Sequence, residues 1–245
     1  LALLDELGDL LNRTPSLGHV IVDEAQDLSP MMLRAVGRRA STGSLTVLGD
    51  LAQATTPWGA TDWPTALGHL GHPDARVTEL VEGFRVPGEV IDLAARLLPL
   101  IAPGLTPPRS VRRSRGELVI TEVADAVAAL PAAVAALAER EGTVGLIVPD
   151  ALVPEAKAAL AASGVEVGDL GAGASFDTHV ELVAASLAKG LEFDHVVLVE
   201  PAALVAGEAD ERTGLRRLYV CLTRAVTSLV VLHARPLPEA LADTR

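Results

Sequence analysis

Aromatic residues make up only 2% of this 245-residue chain, cysteine occurs once and lysine twice. With so few rings, Ala, Val and Leu must fill the core, and an apolar fraction of 49% is enough for one large domain or two small ones. The single Cys221 excludes an internal disulfide and a cysteine zinc cluster, in keeping with a reducing cytoplasm. No apolar run reaches the ~20 residues that a membrane-spanning helix requires. No signal peptide opens the chain either, so a cytoplasmic protein without a membrane partner is expected; a first residue of Leu rather than Met is read as a truncation. Positive charge is also short, with a net charge of −12 and a pI near 4.9. Non-specific duplex binding depends on neutralising phosphates with Lys and Arg. The chain is therefore a poor candidate for a general DNA-coating protein, although local basic patches stay open.

What is scarce is not scattered. Of the 20 Lys and Arg residues only Lys157 and Lys189 are lysines, and Lys189 sits inside a motif. Trp58, Phe84, Phe193 and Tyr219 likewise fall in candidate functional segments. The six histidines, His19, His69, His72, His179, His195 and His233, show no metal-ligand spacing. A phosphate-binding loop is missing too: Gly171-Ala-Gly173 lacks the following Gly-Lys-Ser/Thr and is read as a turn.

Periodicity predicts alternating helices and strands. Helices are expected over 1–12, 30–39, 62–70, 87–100, 125–141, 152–162 and 211–225. Strands are expected over 19–22, 45–48, 77–81, 117–123, 143–148, 165–167, 179–184, 195–199 and 228–233. The Pro-, Arg- and Ser-rich stretch 101–116, with Arg109, Arg112, Arg113 and Arg115, is expected to be a solvated linker. Alternation of this kind with near-continuous Val/Leu/Ile strands argues for an α/β protein with parallel sheets covered by helices on both faces.

Five segments carry chemistry. His19-Val-Ile-Val-Asp23-Glu24-Ala-Gln-Asp27 is an apolar strand that ends in two acids, placing them at the carboxyl edge of a sheet where α/β proteins bind ligands. There Asp23 can position Mg²⁺ and Glu24 can orient or deprotonate an attacking water, unless the pair is merely an acidic turn. Gly49-Asp50-Leu-Ala-Gln53 follows a second strand, and its amide can sense a γ-phosphate; a plain turn is the alternative. Phe84–Arg85 offers a ring and a guanidinium side by side, able to stack on a base and reach a phosphate. In Lys189-Gly-Leu-Glu192-Phe-Asp194 the glutamate can accept from ribose hydroxyls, or the segment can be a simple Lys-Gly turn. Arg224, in Leu218-Tyr-Val-Cys-Leu-Thr-Arg-Ala225, is either a transition-state arginine finger or a helix-terminal cation.

In this order the segments resemble motifs II to VI of the superfamily 1 helicases of the UvrD/Rep type. The resemblance implies two RecA-like parallel-sheet domains of the P-loop NTPase fold, with ATP and Mg²⁺ in the cleft between them. The first domain would be incomplete: residues 1–82 would form the C-terminal half of domain 1A, without its phosphate loop, and residues 83–245 domain 2A. Carried over, Asp23 is the magnesium ligand, Glu24 the catalytic base and Gln53 the γ-phosphate sensor. Phe84 stacks on adenine, Arg85 and Arg224 are arginine fingers, and Glu192 contacts ribose. The chain also departs from the family. The segment after Gln53 keeps Trp58, the candidate single-stranded DNA contact, but lacks the family's Tyr and Arg. Ala184 and Ser186 stand where the family has a DNA-contacting Thr and His, and the Arg85–Lys189 interval is too short for a large inserted domain. The runs Asp23-Glu-Ala-Gln-Asp-Leu-Ser-Pro and Gly49-Asp-Leu-Ala-Gln-Ala-Thr55 are similar to the actinobacterial HelD-type ATPases, which bind RNA polymerase and release it from nucleic acid. The resemblance thus implies an ATP hydrolase in the intact protein, inactive as this chain alone, with RNA polymerase as partner. A 3′–5′ DNA helicase acting on single-stranded DNA and a non-catalytic interaction module remain the alternatives.

Overall fold

The computed structural model describes residues 2–12, 15–40, 42–112, 116–169 and 178–242. Arg113, Arg115 and the 171–173 turn lie outside the described residues. The chain divides into two compact units, Leu1–Glu79 and Leu80–Arg245.

The first unit holds α1 (Ala2–Leu11), β1 (Val20–Val22), α2 (Pro30–Arg39), β2 (Leu45–Val47) and α3 (Trp63–His69). β1 and β2 pair in parallel, with Val20 opposite Leu45 and Val22 opposite Val47. α2 starts where the sequence says it should: the Ser29 hydroxyl accepts from the Met32 amide at 3.2 Å, and Pro30 fills the first turn, where a missing N–H costs nothing. Asp62 caps α3 in the same way through the Thr65 amide at 2.7 Å. Leu33, Ala66, Leu67 and Leu70 form a small core between α2 and α3, backed by Leu45, Val47 and Trp63. α1 is tied to α2 by charge: Arg38 pairs with Asp5 at 2.7 Å, with Asp9 at 3.2 Å and with Glu6.

The second unit contains β3 (Glu82–Gly83), α4 (Gly88–Ala95), α5 (Leu98–Ile101), β4 (Arg109–Ser110), β5 (Glu117–Glu122), α6 (Leu130–Ala138), β6 (Val144–Val148) and α7 (Val153–Ala162). It continues with β7 (Gly168–Asp169), β8 (Val180–Ala184), β9 (Phe193–Val199), α8 (Pro201–Ala206), α9 (Glu211–Leu222), β10 (Ala225–His233) and α10 (Glu239–Ala242). Six strands form one sheet in the order β5-β10-β9-β6-β8-β7, every pair parallel. This is the α/β architecture with parallel sheets that the sequence predicts.

The central strands β6, β8 and β9 are buried on both faces, which explains their apolar runs, whereas the edge strand β5 is largely exposed. On one face Val144, Leu146, Val148, Leu182, Val197 and Val199 pack with Leu130, Val134 and Leu137 of α6 and Leu160 of α7. The alternating residues Ile147, Val183, Val196, Leu198 and Leu229 are equally buried, each at 0% exposure. α9 has the expected inward Leu215, Leu218, Val220 and Leu222, and packs against α4, α5 and α8. Arg212 and Arg216 hold it to the end of α5, both donating to the Ile101 carbonyl at 3.0–3.3 Å.

Several expectations shift for local reasons. The helix expected over 87–100 is broken into α4 and α5, because Pro99 has no N–H for the carbonyl of Ala95, the last residue of α4. α6 begins late for a related reason: Pro131 sits in its first turn, and the Asp125 carboxylate takes the Val127 and Ala128 amides at 2.9 Å each. No strand forms over 77–81; pairing falls instead on Glu82–Gly83, opposite Arg109–Ser110. The stretch 101–116 is therefore not a free linker where it is described. The Arg109 amide donates to Val81 and the Val111 amide to Gly83, at 2.7 and 3.0 Å.

This packing can be tested at two buried positions. A Cβ on Gly145 would overlap the buried Phe193 ring, so Gly145→Ala is expected to destabilise the second unit by about 1–3 kcal/mol in urea unfolding; an unchanged midpoint refutes this packing. Burial pushes the Cys221 thiol up to about 12, leaving almost no thiolate at neutral pH. Iodoacetamide should therefore label the chain only after denaturation, and labelling of the folded protein would contradict it.

Candidate active site

In the first unit the candidate residues gather beyond the carboxyl ends of β1 and β2. Asp23 and Glu24 directly follow β1, and both are exposed. The Glu24 amide donates to Asp23 Oδ1 at 2.8 Å. Glu24 is in the left-handed region, φ 51° and ψ 35°, a conformation that is uncommon and strained for a residue with a Cβ. The turn it starts, Ala25–Asp27, is fastened to β2 by the Ala25 amide, which donates to the Leu48 carbonyl at 3.0 Å.

Gln26 is fully buried, at 0% exposure. Its Nε2 donates to Glu24 Oε2 at 2.5 Å and its Oε1 accepts from the Asp50 amide at 3.0 Å. The Asp50 carboxylate in turn accepts from the Ala52 amide at 2.9 Å and from Gln53 Nε2 at 2.8 Å. Asp23, Glu24 and Gln53 thus belong to one hydrogen-bonded cluster. Trp58 stands beside it, 51% exposed, with its indole N–H donating to the Asp27 carbonyl at 2.9 Å. Asp27 also receives the Thr55 amide at 3.1 Å, which holds the Trp58 loop in place.

In the second unit two of the candidates, Glu192 and Arg224, lie at amino-terminal strand ends, while Phe84 and Arg85 follow β3. Glu192 directly precedes β9 and Arg224 directly precedes β10. The parallel crossover from β8 to β9 has only residues 185–192, whereas such a connection ordinarily takes about a dozen residues or more, usually a helix. It holds a short turn at Ala185–Leu187 and a second at Lys189–Gly190, where Gly190 has φ 80°. Arg224 is 5% exposed, and its guanidinium faces main chain. Nε donates to the Val220 carbonyl at 2.9 Å, Nη1 to the Leu191 carbonyl at 3.2 Å and Nη2 to Thr223 Oγ1 at 3.1 Å.

Arg85 Nη1 pairs with Glu192 Oε1 at 2.9 Å, both side chains being substantially exposed. Phe84 is 77% exposed beside it. The second unit therefore brings Phe84, Arg85, Glu192 and Arg224 to one edge. Arg112, which composition assigns to a solvated linker, donates instead to the carbonyls of Arg85, at 2.9 Å, and of Val226. Nothing in its local sequence marks that role, since both acceptors are main-chain groups remote in the chain. The motif's Asp194 is structural, taking the Thr143 amide at 2.8 Å and hydroxyl at 3.1 Å.

Part of this edge, with Glu192 and Arg224, lies in the segment that a family model matches. Residues 185–232 match the UvrD-like helicase C-terminal domain. That match covers the crossover, β9, α9 and most of β10. The fold is similar to that of the C-terminal domain of a possible DNA helicase from Lactobacillus plantarum WCFS1, with a TM-score of 0.50 and 22% identity over 66% of this chain and 94% of that one. The PRRSV helicase and Arterivirus nonstructural protein 10 (helicase) align over 92% and 94% of this chain, at TM-scores of 0.48 and 0.49 and identities of 16% and 18%. The chain spans 37% and 42% of the lengths of those two proteins. No curated protein matches it.

The geometry separates two guanidiniums by burial. Arg224→Met removes the bonds to Val220, Leu191 and Thr223, made by a charged donor and each worth about 1.5–3 kcal/mol in general, and should strongly destabilise the second unit. Arg85→Met breaks an exposed pair and should shift stability by no more than about 1 kcal/mol. Equal losses in denaturant unfolding would show that the burial difference is not what distinguishes them.

Proposed function

We propose that this chain is the C-terminal part of an ATP-hydrolysing, superfamily 1 helicase-like motor, whose work is to remodel RNA polymerase and release it from nucleic acid. The observation that carries the ATPase reading is the strand-end pair Asp23–Glu24, with Glu24 in a strained left-handed backbone and hydrogen-bonded through Gln26 to the turn that bears Gln53. The match of residues 185–232 to a helicase C-terminal domain supports it from the other unit.

The donor set fits Mg²⁺ carried by a nucleotide. No group of three or more His, Cys, Asp or Glu able to hold a metal occurs among the described residues. Mg²⁺ ordinarily takes one or two carboxylates, with substrate phosphates and water completing its shell. Asp23 would be that carboxylate, and the ion would neutralise charge on the phosphates. Glu24, exposed beside it, orients and deprotonates the attacking water. Gln53 registers the γ-phosphate, Phe84 stacks on the base, Glu192 accepts from ribose, and Arg85 and Arg224 stabilise charge on the transferring group. For Arg85 this means leaving Glu192, an exposed pair worth little. For Arg224 it means giving up main-chain carbonyls, so Arg85 is the more readily recruited of the two.

One observation favours a protein partner over DNA. Ser186 stands where the family has a DNA-contacting residue, and its amide donates to Asp150 at 3.1 Å while its hydroxyl bonds the same carboxylate. An exposed carboxylate at that place repels phosphate. Another observation favours the second reading, a 3′–5′ DNA helicase: Trp58 is held by its N–H with half its surface open, as stacking on a single-stranded base requires.

In the intact protein Glu24→Gln should lower kcat by about 10²–10⁴-fold while sparing ATP binding; retained turnover removes Glu24 from its role. The 245-residue chain itself should not hydrolyse ATP, since it contains no phosphate loop. Retention of RNA polymerase on the immobilised intact protein, without unwinding of duplex DNA or stimulation by single-stranded DNA, is the outcome expected of the polymerase reading. Unwinding without polymerase retention establishes the helicase instead.

A further inference from the structure

Gln26 takes no part in the proposed hydrolysis beyond lying in a matched run. Yet among the described residues it is the most completely enclosed polar side chain of the first unit, with 0% exposure. Both ends of its amide are committed. Oε1 must face the Asp50 amide, because that partner can only donate, and this orientation turns Nε2 to Glu24 Oε2. A flipped amide would set donor against donor at Asp50. Its main chain is held as well, with the Ala60 amide donating to the Gln26 carbonyl at 2.7 Å. The chain makes room for this side chain at Gly49, where a Cβ would overlap Gln26 Oε1 and meet the Trp63 ring at 2.8 Å. The glycine before Asp50 is thus accounted for by packing against Gln26.

We infer that Gln26 is a positioning residue that joins the base to the sensor: its buried amide orients Glu24 on one side and fixes the Asp50–Gln53 turn on the other. The inference rests on the ATPase reading for its consequence, but not for its geometry. Glu24 stands on a left-handed residue at the exposed end of a strand, and an untethered carboxylate there would sample several rotamers. A bond from an enclosed amide selects one. The same amide, through the Asp50 main chain, sets the carboxylate that receives Gln53 Nε2 at 2.8 Å. Movement at Gln53 is thereby transmitted to Glu24 through Asp50 and Gln26.

Two experiments test this. In the intact ATPase, Gln26→Met, which keeps the length of the side chain and deletes both hydrogen bonds, should lower kcat by about 100-fold, the cost of misplacing a reacting group, with the KM for ATP little changed. In a Glu24→Gln background the same substitution should add no further loss. A kcat close to the unsubstituted value, or an equal additional loss in the Glu24→Gln background, overturns the inference. The second experiment needs no change at the buried position. In NMR spectra of the 245-residue chain, Glu24→Gln, at an exposed site, should shift the side-chain amide signals of Gln26 and the main-chain amide of Asp50. An unmoved Asp50 signal overturns the relay. Full turnover by Glu24→Gln sinks the ATPase reading instead, and the Asp50 signal then still decides whether the relay exists.

Discussion

A buried guanidinium is costly unless its charge and its N–H groups are satisfied, and the second unit is organised around satisfying Arg224. The crossover over 185–192 is too short for a full helix, so the Leu191 carbonyl at its end has no helical turn to accept from. α9 ends at Leu222 with carbonyls of its own left over. Arg224 meets both needs, bonding Leu191 from the crossover and Val220 from the helix, while its own carbonyl takes the Phe193 amide at 3.1 Å. The start of β9 and the start of β10 are locked together by one residue, through both its main chain and its side chain. Glu192 is presented to solvent because its neighbours Leu191 and Phe193 are held, and Arg85 reaches it from the other side. Arg112 extends the lock by donating to the carbonyls of Arg85 and of Val226, the second residue of β10.

The first unit solves a related problem with a neutral group. Its candidate residues follow strands rather than precede them, so the turn after β1 and the turn after β2 have to be set side by side. An amide suits that place better than an ion would, since it offers a donor and an acceptor without the desolvation cost of a charge. Gln26 spans the gap, and the exposed carboxylates around it keep their solvent. A charged side chain at the same depth would have competed with Asp23 and Glu24 for whatever cation approaches them.

Much of this was legible from the chain. The span 30–39 was legible as a helix that Pro30 opens, and the apolar runs of β6, β8 and β9 as buried strands. The segments bearing Asp23, Glu24 and Gln53 could be placed at strand ends because short apolar runs precede them. What could not be read were features whose partners are main-chain atoms far away. Arg112 sits in a stretch whose composition says linker, and only the carbonyls of Arg85 and Val226 make it structural. The alternation of strands and helices likewise does not say which sheet edge a motif will occupy, so the placement of Glu192 and Arg224 at amino-terminal strand ends had to come from the fold. At 77–81 the residues suit a strand, but among the described residues no ladder runs along them, and propensity without a partner strand does not make one.

The two left-handed glutamates among the described residues show why local strain alone does not identify a working residue. Glu24 and Glu200 both follow a parallel strand, with φ values of 51° and 48°, and each bears a backbone cost of about 1–3 kcal/mol. Glu200 is 6% exposed, and its carboxylate accepts the Ala234 amide at 2.7 Å and the Arg235 amide at 3.4 Å, closing the turn after β10. Its strain is offset by those bonds, and a structural account is complete. Glu24 has the same backbone, but its side chain is exposed and oriented by an enclosed amide that itself reaches a second motif. Strain that secures a turn and strain that aims a carboxylate outward look alike in φ and ψ. They differ in where the side chain ends: the Glu200 carboxylate closes on main-chain amides, whereas that of Glu24 stands exposed against the Gln26 amide.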